Sequence, residues 1–385
     1  MPKTGGQLIA ESLDRNQVKN VFCVPGESYL GALDALFDKK KNINIINARH
    51  EAGAANMAES YGKLTGKPGV ALVTRGPGAC HASVGVHIAH QDSTPMVLIV
   101  GDVARNVKDR EAFQEVDFKS FFGPISKWVA EVNDPDRVPE YMNRAFSLAT
   151  SGRPGPVVIV TPEDMLTQMS KVKFPPLSPV LRGEMPSNGV KSLKDSLKNS
   201  KKPLFIIGGS GWSDVACSKF HKFINENNIP VATSFRRQDL FDHKNENFAG
   251  SFGTSVSPKL IDSTKNSDLI IVLGARLGEM TTQGYSIISP QDNSKNIIHI
   301  HVDSNELNKV YNANVCINVG VGECCDKLED LRLDNSKRWQ GWRNELNKNY
   351  VEDSKPQKNK NRNNLSKIFE IVEKKFPTNS IVTLD

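Results

Sequence analysis

Residues 49–58 read RHEAGAANMA, and residues 74–79 read TRGPGA. The apolar run over 43–48 predicts a buried strand, and the small, alanine-rich run over 51–62 predicts a helix packed closely against its neighbours. Glu51 therefore lies at a junction between a strand and a helix. In an open α/β sheet, ligands bind at this edge, beyond the carboxyl ends of the strands. Glu51 is accordingly the first candidate functional residue.

The Gly-Pro-Gly segment at 76–78 follows a strand predicted over 69–74 and precedes a helix predicted over 79–89. A glycine has no side chain, so its backbone can approach a ligand closely. We interpret the segment as a backbone surface that lies against a flat ring, and Gly26 has the same interpretation. A plain turn is the alternative, because glycine and proline occur in turns of every kind.

Both segments, together with VPGESYL (24–30) and QDSTP (91–95), resemble the pyrimidine-binding domain of thiamine diphosphate-dependent enzymes of the acetolactate synthase group. The likeness continues into a second domain, where GAR (274–276) ends a strand, and it covers nearly the whole chain. Four motifs in the same order make the resemblance specific. It implies thiamine diphosphate as the cofactor. The cofactor-binding residues that it implies are Pro25, Gly26, Glu51, Gly76, Pro77 and Gly78.

The resemblance assigns Glu51 a catalytic role. In the family, the glutamate at this place hydrogen-bonds the N1′ atom of the aminopyrimidine ring and favours its imino tautomer, which removes the C2 proton of the thiazolium ring. The cofactor carries the chemistry of a 2-oxo acid, and the protein positions it. The small residues Ala52, Ala54 and Ala55 offer little competing polarity. Without the resemblance, Glu51 is an ordinary acidic residue in a first helical turn, where the helix dipole favours it.

Two further segments, AFQE (112–115) and SKW (126–128), resemble the substrate side of acetolactate synthases. The resemblance implies that Gln114 is catalytic and hydrogen-bonds a carbonyl, and that Lys127 attracts a carboxylate. Exposed loop residues without such a role are the alternative interpretation.

Three histidines, His81, His87 and His90, fall on the helix predicted after the Gly-Pro-Gly segment. His87 and His90 are three residues apart and share a face of that helix. The histidines either relay protons or are satisfied by local hydrogen bonds, and we favour local hydrogen bonds.

Composition argues against several classes of protein. The chain has 385 residues and a formal net charge of +6 that is spread along the sequence, so we expect no nucleic acid partner. No apolar run approaches the roughly 18 residues of a membrane span, and the N-terminus lacks a signal-like segment, so we expect neither membrane association nor export. The six cysteines lack metal-ligand spacing and are interpreted as reduced core thiols of a cytoplasmic protein.

Strands that alternate with helices predict the α/β class, with two doubly wound, mainly parallel-sheet domains. We expect a pyrimidine-binding domain over 1–165, a proline-rich linker over 166–187 and a central domain over 188–340. Residues 341–385, rich in lysine and asparagine, are expected to form a second linker and the opening of a truncated diphosphate-binding domain. The first strand of that third domain is predicted over 380–385.

The segment GGSG (208–211) follows the first strand of the second domain. It is either a dinucleotide fingerprint or a plain strand-to-helix turn, and the missing third glycine favours the turn. The middle domain of acetolactate synthases often holds a flavin. The residues after Arg276 depart from the pattern of those enzymes, so FAD is not expected.

The resembled family holds Mg²⁺ and the diphosphate in its third domain, through a Gly-Asp-Gly segment and a downstream asparagine. No such pair occurs here, so the chain itself is predicted to contain no metal ligands. Either the chain is a fragment of an enzyme of ordinary family length or a separate chain supplies the missing domain, and the strand predicted at its end favours a fragment. Paired subunits complete the site in the family, which implies a homodimer or a homotetramer.

The function that these motifs favour is thiamine diphosphate-dependent decarboxylation or carboligation of a 2-oxo acid, with an isolated chain that is itself inactive. A related lyase that acts on another 2-oxo acid or on an acyl-CoA is one alternative. A non-catalytic binding or regulatory partner is another, and a nicotinamide-dependent dehydrogenase built on the 208–211 segment is a third.

The nicotinamide alternative is tested by heating the chain with NAD or NADP. A ligand at about 100 times its dissociation constant stabilises the protein that binds it by about 2.7 kcal/mol. We expect no change in melting temperature, because the fingerprint is incomplete. A clear rise with either nucleotide would favour the dehydrogenase instead.

Overall fold

Two six-stranded sheets, each with all strands parallel, form the framework of the protein. The structure is a computed structural model, and it describes residues 1–178, 180–291, 295–334, 337–355, 365–377 and 379–381. Helices cover both faces of each sheet, as alternating strands and helices require. The predicted α/β class with two doubly wound domains is confirmed.

The first sheet has the strand order β3-β2-β4-β5-β7-β6, and a separate antiparallel pair joins β1 to β8. The strands are β1 (Lys3–Thr4), β2 (Asn20–Cys23), β3 (Asn44–Asn47), β4 (Gly69–Val73), β5 (Met96–Asp102), β6 (Trp128–Glu131), β7 (Pro156–Pro162) and β8 (Met169–Ser170). The helices are α1 (Gly5–Arg15), α2 (Leu30–Asp38), α3 (Glu51–Thr65), α4 (Pro77–Asp92), α5 (Phe118–Phe122), α6 (Val138–Thr150) and α7 (Glu163–Thr167).

The three central strands β4, β5 and β7 are buried along their whole length. Their sequences are nearly continuous apolar runs, which is typical of a parallel strand that is covered on both faces. Strand β3 differs, because it lies at the edge of the sheet and its four residues are exposed or half-buried. The strand predicted over 43–48 is present as β3, but the prediction that it is buried is wrong. An apolar run does not reveal whether a strand lies at the centre or the edge of a sheet.

The second sheet has the order β11-β10-β9-β12-β13-β14. Its strands are β9 (Pro203–Ile207), β10 (Val231–Thr233), β11 (Phe248–Ser251), β12 (Leu269–Leu273), β13 (Asn296–His301) and β14 (Val315–Asn318). Its helices are α8 (Ser187–Asn199), α9 (Asp214–Asn227), α10 (Pro258–Asn266), α11 (Glu279–Thr282), α12 (Val321–Glu329) and α13 (Gln340–Asp353). A further helix, α14 (Leu365–Lys375), follows. Among the described helices, none combines the length and the apolar composition that crossing a membrane requires.

Both predicted linkers contain ordered structure. Strand β8 pairs with β1, so the first domain extends to Ser170, and Met185 is buried in the core of the second domain. Helix α13 replaces the linker predicted from residue 341 as far as Asp353. The indole nitrogen of Trp342 donates to the carbonyl of Pro203 at 3.0 Å, and Trp342 is buried against the second sheet. Of the polar residues over 344–364 that suggested a linker, those over 344–353 belong to this helix, and those over 356–364 lie outside the described residues. Of the strand predicted over 380–385, residues 382–385 lie outside the described residues.

Polar contacts join the two domains at the end of α4. Arg153 donates to the Ser93 hydroxyl at 2.8 Å and pairs with the nearly buried Glu306 of the second domain at 3.2 Å. Arg276, which follows β12, donates to the carbonyl of Gln91. These bonds place the carboxyl edge of the second sheet against the first domain.

Helices α3 and α4 lie unusually close together. A Cβ atom added to Gly85 would lie 2.5 Å from the Cβ of Ala55 and 2.7 Å from its carbonyl carbon. Real side chains do not occupy such space without displacing the backbone. The predicted close packing of the alanine-rich helix is confirmed.

We expect Gly85→Ala to lower the urea midpoint of unfolding. Overpacking of this kind costs about 1–3 kcal/mol, whereas the gain in helix propensity is only about 1 kcal/mol. Gly53→Ala is the matched control, because an added Cβ at this exposed position in α3 meets only the Cβ of Ala48 at 3.9 Å. The control is expected to keep or raise the midpoint. Equal midpoints for Gly85→Ala and the unmodified chain would contradict the close-packing argument.

Candidate active site

The candidate site lies at the carboxyl edge of the first sheet, where the strand order changes direction. Strand β3 lies on one side of β2, and the chain then returns to form β4 on the other side. The loop with Gly26 follows β2, and the loop with Gly76 follows β4. Such a switch point opens a crevice between neighbouring loops, and open α/β sheets bind ligands there.

Glu51 is the first residue of α3, as predicted from the sequence. His50 caps this helix, since its Nδ1 atom accepts a hydrogen bond from the backbone amide of Ala52 at 3.1 Å. A cap of this kind satisfies one of the free amides of the first turn. It also holds the chain at the start of α3, so Glu51 projects from an ordered turn. Only 13% of the Glu51 side chain is exposed.

Glu51 and Gly78 lie directly beside each other. A Cβ atom added to Gly78 would lie 3.3 Å from Oε1 of Glu51 and 2.8 Å from Cγ2 of Thr74. A side chain at this position would therefore fill the space in front of the carboxylate. A flat aminopyrimidine ring needs that space together with one hydrogen-bonding carboxylate oxygen. The residues present fit the pyrimidine part of thiamine diphosphate.

Gly26 and Gly76 are required by the chain's own packing. A Cβ atom at Gly26 would lie 2.5 Å from the Cβ of Thr74, and one at Gly76 would lie 2.7 Å from the Cβ of Gln114. Gly76 also has a φ of +57°, a conformation that glycine adopts without strain. These contacts explain both glycines without a ligand. Their contact with a cofactor, and that of the exposed Pro25 and Pro77, stays a prediction.

Hydrogen bonds hold the two loops of the crevice together. The hydroxyls of Ser28 and Thr74 lie 2.8 Å apart, and the amide of Arg75 donates to Ser28 Oγ at 3.1 Å. The guanidinium of Arg75 pairs with Glu163 at 2.7 Å. Sequence reasoning did not single out these residues. Tyr29 adjoins them and is fully buried, and burial, with Cys23 and the charge of Glu51 nearby, raises the pKa of its hydroxyl.

Gln114 lies beside Gly76, as its predicted role requires. It has a φ of +64° and lies half-buried in the loop between β5 and α5. Lys108 anchors this loop, because its amine bonds to Asp102 at 3.0 Å and also to Glu131. Asp102 is fully buried, and burial raises the pKa of its carboxyl despite the bond to Lys108.

Lys127 lies at the opposite edge of the sheet from Glu51. Its backbone amide bonds to the carbonyl of Pro156, the first residue of β7, and its amine donates to the carbonyls of Leu148 and Ser151. The expectation that Lys127 attracts a substrate carboxylate at this site is therefore wrong. In a parallel sheet, a residue just before a strand lies on the opposite edge from a residue just after one.

His81 lies beside Glu51, a contact that the sequence interpretation of this histidine did not predict. Its Nδ1 atom lies 3.0 Å from Oε2 of Glu51. The preferred interpretation was a local hydrogen bond, whereas the partner is 30 residues away along the chain. The sequence contained one indication that His81 lies near Glu51: Gly78 and His81 are three residues apart on α4 and share a face. His90 lies at the domain contact, and burial, with Arg153 nearby, lowers its pKa.

His50, Glu51 and His81 offer three ligand atoms that lie within 4.8 Å of one another. Two imidazoles and one carboxylate suit zinc or copper more than Mg²⁺, which prefers oxygen ligands. Nδ1 of His50 already accepts from Ala52, and Nδ1 of His81 already bonds to Glu51. The set is therefore no Mg²⁺ site, and the location of the Mg²⁺ ligands outside this chain stays a prediction.

A cleft of about 560 Å³ lies between the two domains. The cations that line it are Lys63, Arg236, Arg237 and Arg276. Each of them already has a partner in the chain: Asp92 pairs with Lys63 and Arg236, Asp239 pairs with Arg237, and the Gln91 carbonyl accepts from Arg276. The segment at 208–211 lies between β9 and α9, a place that both interpretations of its sequence require, so the preference for a plain turn stays a prediction. The expected lack of FAD stays a prediction.

Comparisons with known proteins identify the same two domains. Residues 3–121 match the family described as "Thiamine pyrophosphate enzyme, N-terminal TPP binding domain", and residues 190–328 match "Thiamine pyrophosphate enzyme, central domain". The chain is 33% identical over 334 residues to the acetolactate synthase large subunit of Haemophilus influenzae, an alignment that covers 85% of this chain and 57% of that relative.

Two further relatives are also described as acetolactate synthases. The chain is 30% identical over 337 residues to the mitochondrial acetolactate synthase catalytic subunit of Saccharomyces cerevisiae, which covers 82% of this chain and 48% of the relative. It is 30% identical over 334 residues to the acetolactate synthase isozyme 3 large subunit of Escherichia coli, which covers 85% of this chain and 57% of the relative. The chain thus spans about half the length of the curated relatives it matches. With Glu51 placed beside Gly78 at the switch point of the first sheet, these matches show that the chain belongs to the thiamine pyrophosphate enzymes, of the acetolactate synthase-like kind, and carries their N-terminal and central domains.

Proposed function

We propose that this chain supplies the aminopyrimidine half of the active site of an enzyme that decarboxylates a 2-oxo acid and joins the product to an acceptor. The observation that carries the proposal is the Glu51 carboxylate, whose Oε1 atom faces the space kept open by Gly78. The acetolactate synthases among its relatives support the choice of reaction. When bound, thiamine diphosphate supplies an electron sink for the pair released with carbon dioxide.

Glu51 binds and orients the aminopyrimidine in this proposal. Its Oε1 atom would share a proton with the ring nitrogen N1′, and Gly78 would leave room for the ring because it has no side chain. A carboxylate that is 13% exposed makes stronger hydrogen bonds than one in bulk water, because fewer water molecules compete for it. The bonds between Ser28, Thr74 and Arg75 connect the two neighbouring loops and limit their movement.

Gln114 is proposed to hydrogen-bond the substrate carbonyl. Its backbone packs against Gly76, so its loop borders the same crevice. The buried contacts of Lys108 with Asp102 and Glu131 limit the movement of that loop. An amide side chain donates and accepts, and it can therefore orient a carbonyl without adding charge.

The second half of the site is proposed to lie outside these residues. The sequence contains no Gly-Asp-Gly segment, and the three-residue cluster at Glu51 does not suit Mg²⁺. We propose that a diphosphate-binding domain supplies the Mg²⁺ and diphosphate ligands and that the enzyme is a cytoplasmic homodimer or homotetramer. A related lyase for another 2-oxo acid or an acyl-CoA uses the same residues, and a non-catalytic partner does not need Glu51.

The role of Glu51 predicts the behaviour of Glu51→Gln in the chain joined to a diphosphate-binding domain. We expect exchange of the C2 proton of bound thiamine diphosphate, followed by NMR, to slow by about 10²–10⁴-fold, the usual contribution of a positioned proton-transfer group. The amide cannot share a proton with the ring in the same way. Glu27→Gln is the matched control, because Glu27 is an exposed carboxylate in the neighbouring loop. Unchanged exchange in Glu51→Gln would refute the catalytic role and favour the non-catalytic partner.

The split of the site predicts weak cofactor binding by residues 1–385 alone. Neutral hydrogen bonds to the pyrimidine contribute only about 0.5–1.5 kcal/mol each, whereas the diphosphate is held through charge. We expect calorimetric titration to give a low affinity for thiamine diphosphate that Mg²⁺ does not change. We also expect no carbon dioxide release from pyruvate. Tight, magnesium-dependent binding would mean that the diphosphate site lies within this chain.

A further inference from the structure

The two oxygens of the Glu51 carboxylate have different surroundings. Oε2 lies 3.0 Å from Nδ1 of His81, one helical turn after Gly78. Oε1 instead lies on the side of Gly78, 3.3 Å from the place that a Cβ atom of residue 78 would take. The imidazole therefore occupies one oxygen and leaves the other free to point across the crevice.

The His81 ring is itself held in place. It stacks on the ring of His50, with centroids 4.4 Å apart and planes inclined by 29°. The ring of His50 is fixed in turn by its cap bond to the amide of Ala52. The His81 side chain is 51% exposed, so the stack on His50 supplies a contact in addition to the bond to Glu51. Residues from the starts of both helices thus align one carboxylate.

The hydrogen bonds indicate which nitrogen of each ring carries a hydrogen. An ionised carboxylate only accepts, so Nδ1 of His81 must carry the hydrogen that it donates to Glu51. Nδ1 of His50 accepts from an amide, so its hydrogen must be on Nε2. Neighbouring histidines therefore carry their protons on different nitrogens. The bond that one nitrogen makes determines the tautomer of the whole ring.

We propose that His81 is a positioning residue for Glu51, whose Nδ1–H bond to Oε2 turns Oε1 across Gly78 toward the aminopyrimidine. The inference rests on the proposed function of Glu51. His81 touches no reacting atom in this arrangement. It acts by removing the rotational freedom of the carboxylate, and ordering a glutamate side chain before binding lowers the entropic cost of the ligand contact.

The tautomer is measured first, because this measurement needs no ligand. Long-range ¹H–¹⁵N correlation spectra of the 385-residue chain, labelled in histidine and treated with a chelator, distinguish Nδ1–H from Nε2–H. We expect Nδ1–H for His81 and Nε2–H for His50, with the His81 signals assigned from their loss in His81→Asn. In Glu51→Ala, His81 is expected to leave the Nδ1–H form. A wild-type His81 in the Nε2–H form would overturn the proposal.

Thiamine diphosphate binding then tests the direction of the carboxylate. His81→Phe keeps a ring for the stack on His50 but has no donor, whereas His81→Asn keeps an N–H donor without that ring. In the chain joined to a diphosphate-binding domain, we expect His81→Phe to weaken thiamine diphosphate binding by about two- to tenfold, as the loss of one hydrogen bond predicts, and His81→Asn to retain most of the affinity. Melting temperatures confirm that both variants are folded.

The outcomes separate this inference from the proposed function. Wild-type affinity in His81→Phe, with thiamine diphosphate bound by the unmodified joined chain, would overturn the positioning role and leave Glu51 as the pyrimidine ligand. Failure of the unmodified chain to bind thiamine diphosphate when it is joined to a diphosphate-binding domain would overturn the proposed function. It would also overturn the ligand-directed part of the inference, while the tautomer spectra would still decide whether His81 holds Glu51.

Discussion

The close approach of α3 and α4 is the constraint on which the rest of the candidate site depends. Gly85 lies so near Ala55 that a single methyl group would collide with the facing backbone. Small residues therefore determine the distance between the two helices, because a close-packed interior has no empty space into which atoms could move. Glu51 begins α3, and Gly78 lies in the first turn of α4. The spacing of the two helices consequently determines the distance between the Glu51 carboxylate and Gly78. This distance does not depend on the conformation of a loop.

Helix α4 also connects the site to the domain contact. Its first two turns carry Gly78 and His81, and the residues at its far end receive hydrogen bonds from Arg153 and Arg276. The hydroxyl of Ser210 reaches the same end of the helix. The second domain therefore contacts the same helix that carries Gly78.

The Glu51 carboxylate lies between Gly78 and the imidazole of His81. These surroundings are more polar than the alanine-rich sequence around Glu51 suggests. The alanines of α3 turn toward α4 and the sheet, where Ala54 and Ala55 are fully buried. Glu51 precedes them by a few residues and faces the crevice instead. A helix places successive residues about 100° apart, so the polarity around one side chain is determined by the elements it faces and not by its neighbours in sequence.

The sequence by itself determined the two parallel sheets, the place of Glu51 at a strand-to-helix junction and the Gly-Pro-Gly segment after β4. These features depend on local periodicity and on backbone preferences within a few residues. Only the tertiary structure decided that β3 is an edge strand, that α13 packs on the second sheet, that Lys127 lies at the far edge of the first sheet, and that His81 bonds to Glu51. Each of these depends on which distant segment becomes a neighbour. That choice follows from the burial of apolar faces over the whole chain, so a local pattern does not contain it.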